Sequence, residues 1–195
     1  MKTYYDRRAQ EYDDWWLGTG LHASRERPGW GESVAELTAT IAALPPRTTL
    51  DVACGTGFLT QHLPGTITGL DQSASMLELS GARVPHGTFV QGDAIPLPFP
   101  DNTFERVFTS FFYGHLEEDD RIAFLGEARR VASELVVVDS ALNDDHEPVE
   151  WQERVLKDGS TWQVYKRFFT ADELARELGR GRTLYESRWF VAVQA

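Results

Sequence analysis

The residues whose types and spacing can do chemistry sit at turns. Gly55 and Gly57 lie in Leu50-Asp51-Val52-Ala53-Cys54-Gly55-Thr56-Gly57, where a short apolar run meets a glycine turn. Glycine admits backbone angles and close approaches that a Cβ forbids. Amides at such a turn point toward whatever lies above it. Asp71 and Asp93 follow two further apolar runs, at 66–70 and 88–91. A carboxylate closing the second strand is placed to bond ribose hydroxyls. One after the third strand can accept from an adenine amino group. A Gly-x-Gly alone is a weak signal, shared with ordinary strand-to-helix turns. Three such features, each at a strand end, together describe a nucleoside site. Thr60 stands where a hydride-transferring dinucleotide turn wants its third glycine, which argues against a nicotinamide enzyme.

The elements that must hold these turns alternate. Apolar runs predict strands at 48–53, 66–70, 88–91, 104–112, 134–139, 161–169 and 184–194. Helical spacing predicts helices at 3–17, 33–44, 58–63, 72–82, 118–132 and 171–178, with Ser73 and Thr170 as caps. In the first of these, Tyr5, Tyr12 and Trp16 fall on one helical face. Strands alternating with helices argue for a mainly parallel sheet covered on both faces. Only a short helix separates the last two strands, so one of them is open to an antiparallel placement. The irregular stretches 17–31 and 141–160 read as flaps over the sheet's carboxyl edge, where such sheets bind ligands.

A chain of 195 residues suits one domain. Its formal net charge of −11 disfavours phosphate-backbone binding, so no nucleic-acid partner is expected. Net charge says nothing about a local patch. Cys54 is the one cysteine, so no intramolecular disulfide can form. The first residues are charged and aromatic, unlike a signal peptide, and no apolar run approaches a membrane span. The expectation is a cytoplasmic protein without membrane attachment.

The stretches LDVACGTG (50–57), GLDQSASML (69–77), VQGDAIPLPFPDNTFERVF (90–108) and SFFYGHL (110–116) resemble the class I S-adenosylmethionine-dependent methyltransferases of small-molecule type. ELVVVDS (134–140) and RFFTADELARELG (167–179) match later elements of that family, and YYDRRAQEYDDWW (4–16) its N-terminal helix. Ala53 replaces the family's first loop glycine, and Glu105 its usual Asp. The resemblance implies a Rossmann-like, doubly wound, seven-stranded, mostly parallel sheet with the last strand antiparallel, plus an N-terminal helical cap. It implies a single methyltransferase domain over 1–195, with cap and flap at 1–45, cofactor core at 46–140, and substrate flap with C-terminal strands at 141–195. It implies S-adenosyl-L-methionine as cofactor and S-adenosyl-L-homocysteine as product. Ala53, Gly55 and Gly57 would approach the methionine part, with Asp51 organising the loop. Asp71 would hold the ribose, Gln72 and Met76 flank the adenine, and Asp93 face its amino group beside Ala94. Ser110 and Phe111 would lie by the sulfonium, and Tyr5 and Tyr12 would cover it; Tyr12 is thereby also a catalytic candidate.

Methyl transfer to an O, N or C atom of a small metabolite is an in-line displacement. A base is needed only for a protonated acceptor. His115 is the candidate base, and its alternatives are to orient the backbone or to touch the cofactor carboxylate. His115, Tyr113 and Trp151 are the candidate substrate residues. His22 and Arg25 either meet an acidic substrate group or are solvated. His146, Glu150 and Arg154 lie in the second flap, where family members select substrates. No metal site is expected: Asp144, Asp145 and His146 lack further ligands at a suitable spacing. The alternatives on the same fold are a non-methylating cyclase or decarboxylase, or a non-catalytic binding subunit. The chain is expected as a monomer or homodimer.

Overall fold

Apolar runs covered on both faces form the centre of the molecule. In the computed structural model, which describes residues 2–195, five strands run parallel: β1 (Arg47–Val52), β2 (Gly65–Asp71), β3 (Thr88–Gln91), β4 (Phe104–Ser110) and β5 (Ala132–Ser140). Two further strands, β6 (Val149–Val155) and β7 (Thr161–Arg167), pair with each other as a separate antiparallel hairpin. β8 (Arg182–Glu186) and β9 (Phe190–Gln194) close the main sheet. Its order is β3-β2-β1-β4-β5-β9-β8, with β9 antiparallel to β5. The direction of winding reverses between β1 and β4, so their carboxyl ends lie side by side and open a crevice.

The helices are α1 (Lys2–Arg8), α2 (Asp14–Leu17), α3 (Trp30–Ala42), α4 (Ala74–Arg83), α5 (Glu118–Val131) and α6 (Ala171–Glu177). Phe124, Leu125, Ala128 and Val131 of α5 and Leu174 of α6 pack with Leu50, Val52 and Val137 on one face of the sheet. Leu37 and Ile41 of α3, with Trp16, pack with Phe108, Val136 and Phe190 on the other. Both faces are thereby removed from water, as a parallel sheet requires. No helix among the described residues is long and apolar enough to cross a membrane.

Several local expectations are corrected. The single helix expected over 3–17 is α1, a 3₁₀ turn at Ala9–Glu11, and α2. The break splits the expected face: Trp16 is buried in the core and stacks on Phe58, with ring centres 4.5 Å apart. The helix expected at 58–63 is only a 3₁₀ turn, Thr60–His62, because Pro64 follows at once. The flap at 141–160 contains β6, whose alternating exposed and half-buried residues mark a strand with one face in water. Residues 184–194 are not one strand: Ser187 turns the chain, its backbone N–H bonding Phe190 O and its hydroxyl accepting from the N–H groups of Trp189 and Phe190.

Thr170 caps α6 reciprocally. Its hydroxyl accepts from Glu173 N–H at 3.2 Å, and the Glu173 carboxylate accepts from Thr170 N–H at 3.1 Å. Thr170→Ala is expected to cost about 1 kcal/mol, measured as a lower urea midpoint with unchanged m-value.

Candidate functional site

The loop after β1 is a strained ribbon held from below. Ala53 has φ 57° and Gly55 φ 55°, and Phe111, at the neighbouring end of β4, has φ 53°. Left-handed backbone at alanine and phenylalanine is costly and persists only where surroundings over-determine it. Asp51 supplies part of that support. Its carboxylate is wholly buried and accepts from the Thr60 hydroxyl at 2.6 Å. Thr60, where a dinucleotide turn has glycine, is thus the loop's inner anchor. Gly57 has φ 76°, and a Cβ there would come within 3.2 Å of the Ser80 backbone. Gly57 therefore lets the loop press against α4, and it does not face the crevice. Asp51 also lies beneath it.

Asp71 ties the loop to the next two elements. Its carboxylate accepts from Gly55 N–H at 3.0 Å and from Ser73 N–H at 2.9 Å. Burial nevertheless pushes its carboxyl above the usual range, against the pull of those amides. Ser73 caps α4 through Met76 N–H and donates its hydroxyl to Asp6 of α1 at 2.6 Å. A second pin lies seven residues on: Asp13 accepts from the Thr56 hydroxyl at 2.6 Å and from Arg83 at 2.5 Å. Asp6 follows Tyr5 and Asp13 follows Tyr12, so each pin fixes a tyrosine above the loop. Burial raises both phenols, keeping them protonated at neutral pH.

Beneath these tyrosines lies a cavity of about 400 Å³. Tyr5, Tyr12, Ala53, Gly55 and Asp71 line one part of it. Gln72, Met76, Asp93, Ala94, Ser110 and Phe111 line the rest. Of the cofactor residues expected from sequence, Asp51 and Gly57 alone are outside this lining. Ile95, Phe112 and Leu116 are wall residues that sequence reasoning missed; nothing but apolar character marks them.

A second cavity, of about 640 Å³, lies between the N-terminal segment and the β6–β7 hairpin. Tyr12, Phe111 and His115 line both cavities, so the two meet at these side chains. His22, Arg25, His146, Glu150, Trp151 and Arg154 line the second. Tyr113 lines neither; it is fully buried against Phe124 and Phe169, with its hydroxyl bonded to Glu177 at 2.8 Å. The 3₁₀ turn Tyr113–His115 sends these two side chains to different surroundings, which corrects the expectation for Tyr113. His146 pairs with Glu150 at 3.1 Å and stacks on Phe168. Arg8 and Lys166 also line this cavity and were not singled out from sequence. The spacing of four through Tyr4, Arg8 and Tyr12 was the available signal for Arg8.

His115 Nδ1 lies 2.7 Å from Tyr165 O. A carbonyl only accepts, so Nδ1 carries the proton and Nε2 keeps its lone pair. Burial, then the charges of Lys166 and Arg154, hold the imidazole well below its ordinary range, which keeps it neutral.

A family model described as "Methyltransferase domain" matches residues 50–135. A 2-phytyl-1,4-naphtoquinone methyltransferase of Trichormus variabilis is 31% identical over 171 residues, 80% of this chain and 69% of that one. A demethylmenaquinone methyltransferase of Thermotoga maritima is 37% identical over 134 residues, 65% of this chain. That match spans only 54% of the Thermotoga protein's length. The solved DhpI–SAH complex superposes with a TM-score of 0.74 at 26% identity, covering 98% of this chain and 92% of that one. This chain belongs to the class I S-adenosylmethionine-dependent methyltransferases.

The methyltransferase's smaller cavity fits its cofactor. A Cβ on Gly55 would enter the gap beneath Tyr12, whose Cε1 lies 4.0 Å away. The carboxylates of Asp71 and Asp93 on its wall suit hydroxyl and amino donors.

The buried acid under the loop sets a pH dependence. Burial pushes Asp51 up to about 7, against about 3.9 in an unfolded chain. Between these values the folded methyltransferase holds a proton that the unfolded chain has lost, so stability falls as pH rises through the window. Asp51→Asn cannot ionise. Its urea midpoint, measured from pH 4 to 8, is expected to lose this downward component relative to the parent chain.

Proposed function

We propose that this methyltransferase moves a methyl group to an O, N or C atom of a small metabolite held in the larger cavity. The observation that carries the reading is the junction of the two cavities at Tyr12, Phe111 and His115. When bound, S-adenosylmethionine supplies a methyl group on a sulfonium, open to in-line displacement. Asp71 would hold the ribose hydroxyls, and Asp93 the adenine amino group, with Gln72, Met76 and Ala94 flanking the ring. Ala53, Gly55 and Ser110 would line the path of the methionine part. Phe111 and Tyr12 place aromatic rings at the junction, a setting that favours a cation. Tyr5 and Tyr12 also exclude water from it, and Tyr12, with its phenol protonated, acts by covering and aligning. Much of the catalysis is alignment, which can contribute roughly 7–11 kcal/mol.

For a protonated acceptor, His115 Nε2 takes the proton. Its Nδ1–H bond to Tyr165 O fixes the ring, and burial together with the surrounding cations keeps the base free. Trp151 would bound the acceptor's far side.

A quinone acceptor is the second reading. It is favoured by the names of the Thermotoga and Trichormus relatives and by the buried or half-buried Trp15 and Trp30 on the larger cavity, whereas Trp151 lies on the exposed face of β6.

Two measurements test the assignment. Asp71→Ala is expected to weaken S-adenosylhomocysteine binding by roughly 10- to 100-fold, the worth of bonds to a charged acceptor; unchanged affinity by calorimetry would remove the ribose role. With an acceptor in hand, the acid limb of kcat/KM is expected below pH ~6.5, the value of an ordinary imidazole. His115→Gln should abolish that limb and slow transfer by roughly 10²- to 10⁴-fold without changing cofactor affinity. A variant that keeps both rate and limb rules His115 out as the base.

A further inference from the structure

The chain carries 30 acidic and 19 basic residues, yet its larger cavity is lined by Arg8, Arg25, Arg27, Arg154 and Lys166. Lys166 is paired with Asp139. None of these arginines has an ion-pair partner among the described residues. In so acidic a chain, counter-ions are plentiful and have not been supplied here.

The carboxylates on the same wall are turned to other groups. Asp14 pairs with Lys157 and accepts from Thr19. Glu11 accepts from the Lys157 backbone N–H. Glu150 accepts from Gln152 and pairs with His146, and Glu153 accepts from Gln163. None of these carboxylates lies within ion-pair distance of an arginine on this wall, so the guanidinium forks are left unmatched.

Arg8 and Arg154 are the two arginines of this wall whose charges act on both His115 and Tyr12 at the junction. Arg8 is 9% exposed and donates to the Tyr4 hydroxyl at 2.5 Å, with its guanidinium 4.8 Å from the Tyr12 ring centre. None of its nitrogens is both shut off from solvent and unbonded, so its remaining N–H groups reach solvent, and the side chain lines the cavity. Arg154 is half-buried and donates to Gln152 Oε1 at 2.9 Å. The fields of both reach His115 and Tyr12, which places them about one locus.

A guanidinium removed from water needs an anion or a dense set of acceptors. Its planar fork matches a carboxylate or a phosphate-type group. Arg8 has one neutral acceptor, supplied by a tyrosine. Around the two arginines, Trp15, Trp30 and Phe168 supply apolar wall. A cavity of about 640 Å³ is of small-ligand size.

We propose that the acceptor is a small organic acid, whose carboxylate or phosphate-type oxyanion is held by Arg8 and Arg154 and whose apolar body lies against the tryptophans. This rests on the methyl-transfer reading of the same site and narrows its substrate class. Asp139 neutralises Lys166, so the arginines are the free cations of the locus.

The test is titration calorimetry on the full chain. S-adenosylhomocysteine is titrated first; lack of binding would sink the methyl-transfer reading, and the same anion titrations on the free chain then judge the arginine site independently. On the S-adenosylhomocysteine complex the probes are phenyl phosphate, benzoate and neutral 1,4-naphthoquinone. At least one anionic probe is expected to bind, to weaken with added salt, and to lose about tenfold or more in Arg154→Gln, as for a charged hydrogen bond. Arg8→Lys retains charge without the fork and is expected to weaken it too. Circular dichroism and S-adenosylhomocysteine affinity show that each variant is folded; should Arg8→Lys fail there, Arg154→Gln decides. Anion binding indifferent to Arg154→Gln, or binding of the quinone alone, overturns the proposal.

Discussion

The site depends on one carboxylate. Asp71 sits at the end of β2 and accepts from the glycine loop after β1 and from the start of α4. Those contacts join the sheet's carboxyl edge, a loop with left-handed alanine, and a helix cap into one unit. Ser73 extends the unit to Asp6, and hence to the N-terminal segment. A group so buried would shed its charge in an apolar setting; the amides of Gly55 and Ser73 oppose that. The same geometry that anchors Asp71 leaves it on the cavity wall. Structural support and ligand recognition are therefore hard to separate in this residue, and the Asp6 and Asp13 pins make tyrosine placement follow from loop placement.

This coupling explains what was legible in the sequence. Strand, turn and carboxylate are local features, each readable within a few residues. The apolar runs of β1, β2, β4 and β5 announce a buried parallel sheet. Asp71 and Asp93 stand where such strands end. The parallel part of the sheet and most of the smaller cavity's wall were accordingly open to inspection, whereas 161–167, expected in the sheet, pairs with β6 instead, and the sheet reaches seven strands because 184–194 divides into β8 and β9. Gly57 was misread because a glycine can serve a ligand or a neighbouring helix, and spacing does not tell which. Its neighbour is Ser80.

The two flaps over the larger cavity were legible as irregular stretches, but how its side chains converge was hidden for a different reason. Four of its charged or titratable groups, at positions 8, 115, 154 and 166, come from separate elements. β6 reads VEWQERV, with most of its residues polar, and no apolar run reveals it. Pairing Trp151 with Tyr165 and Arg154 with Trp162 requires the hairpin register, which depends on the β7 partner. Tyr113 and His115 are two residues apart in one 3₁₀ turn, and only the fold decides that the first enters the core.

The two readings of the acceptor differ in what they ask of the arginines. A quinone would use the rings and leave Arg8 and Arg154 as uncompensated charge beside the junction. That arrangement carries a desolvation cost with no return. An acid would use both surfaces at once. It would also act on His115, because each anion placed near the imidazole offsets the repulsion that Lys166, Arg154 and Arg8 exert on its protonated form. Binding of an anionic acceptor would therefore raise the basicity of His115 as the acceptor arrives. The cations then do two things in sequence: added to burial, they hold the imidazole unprotonated in the free protein, and they ease its protonation when their charge is met.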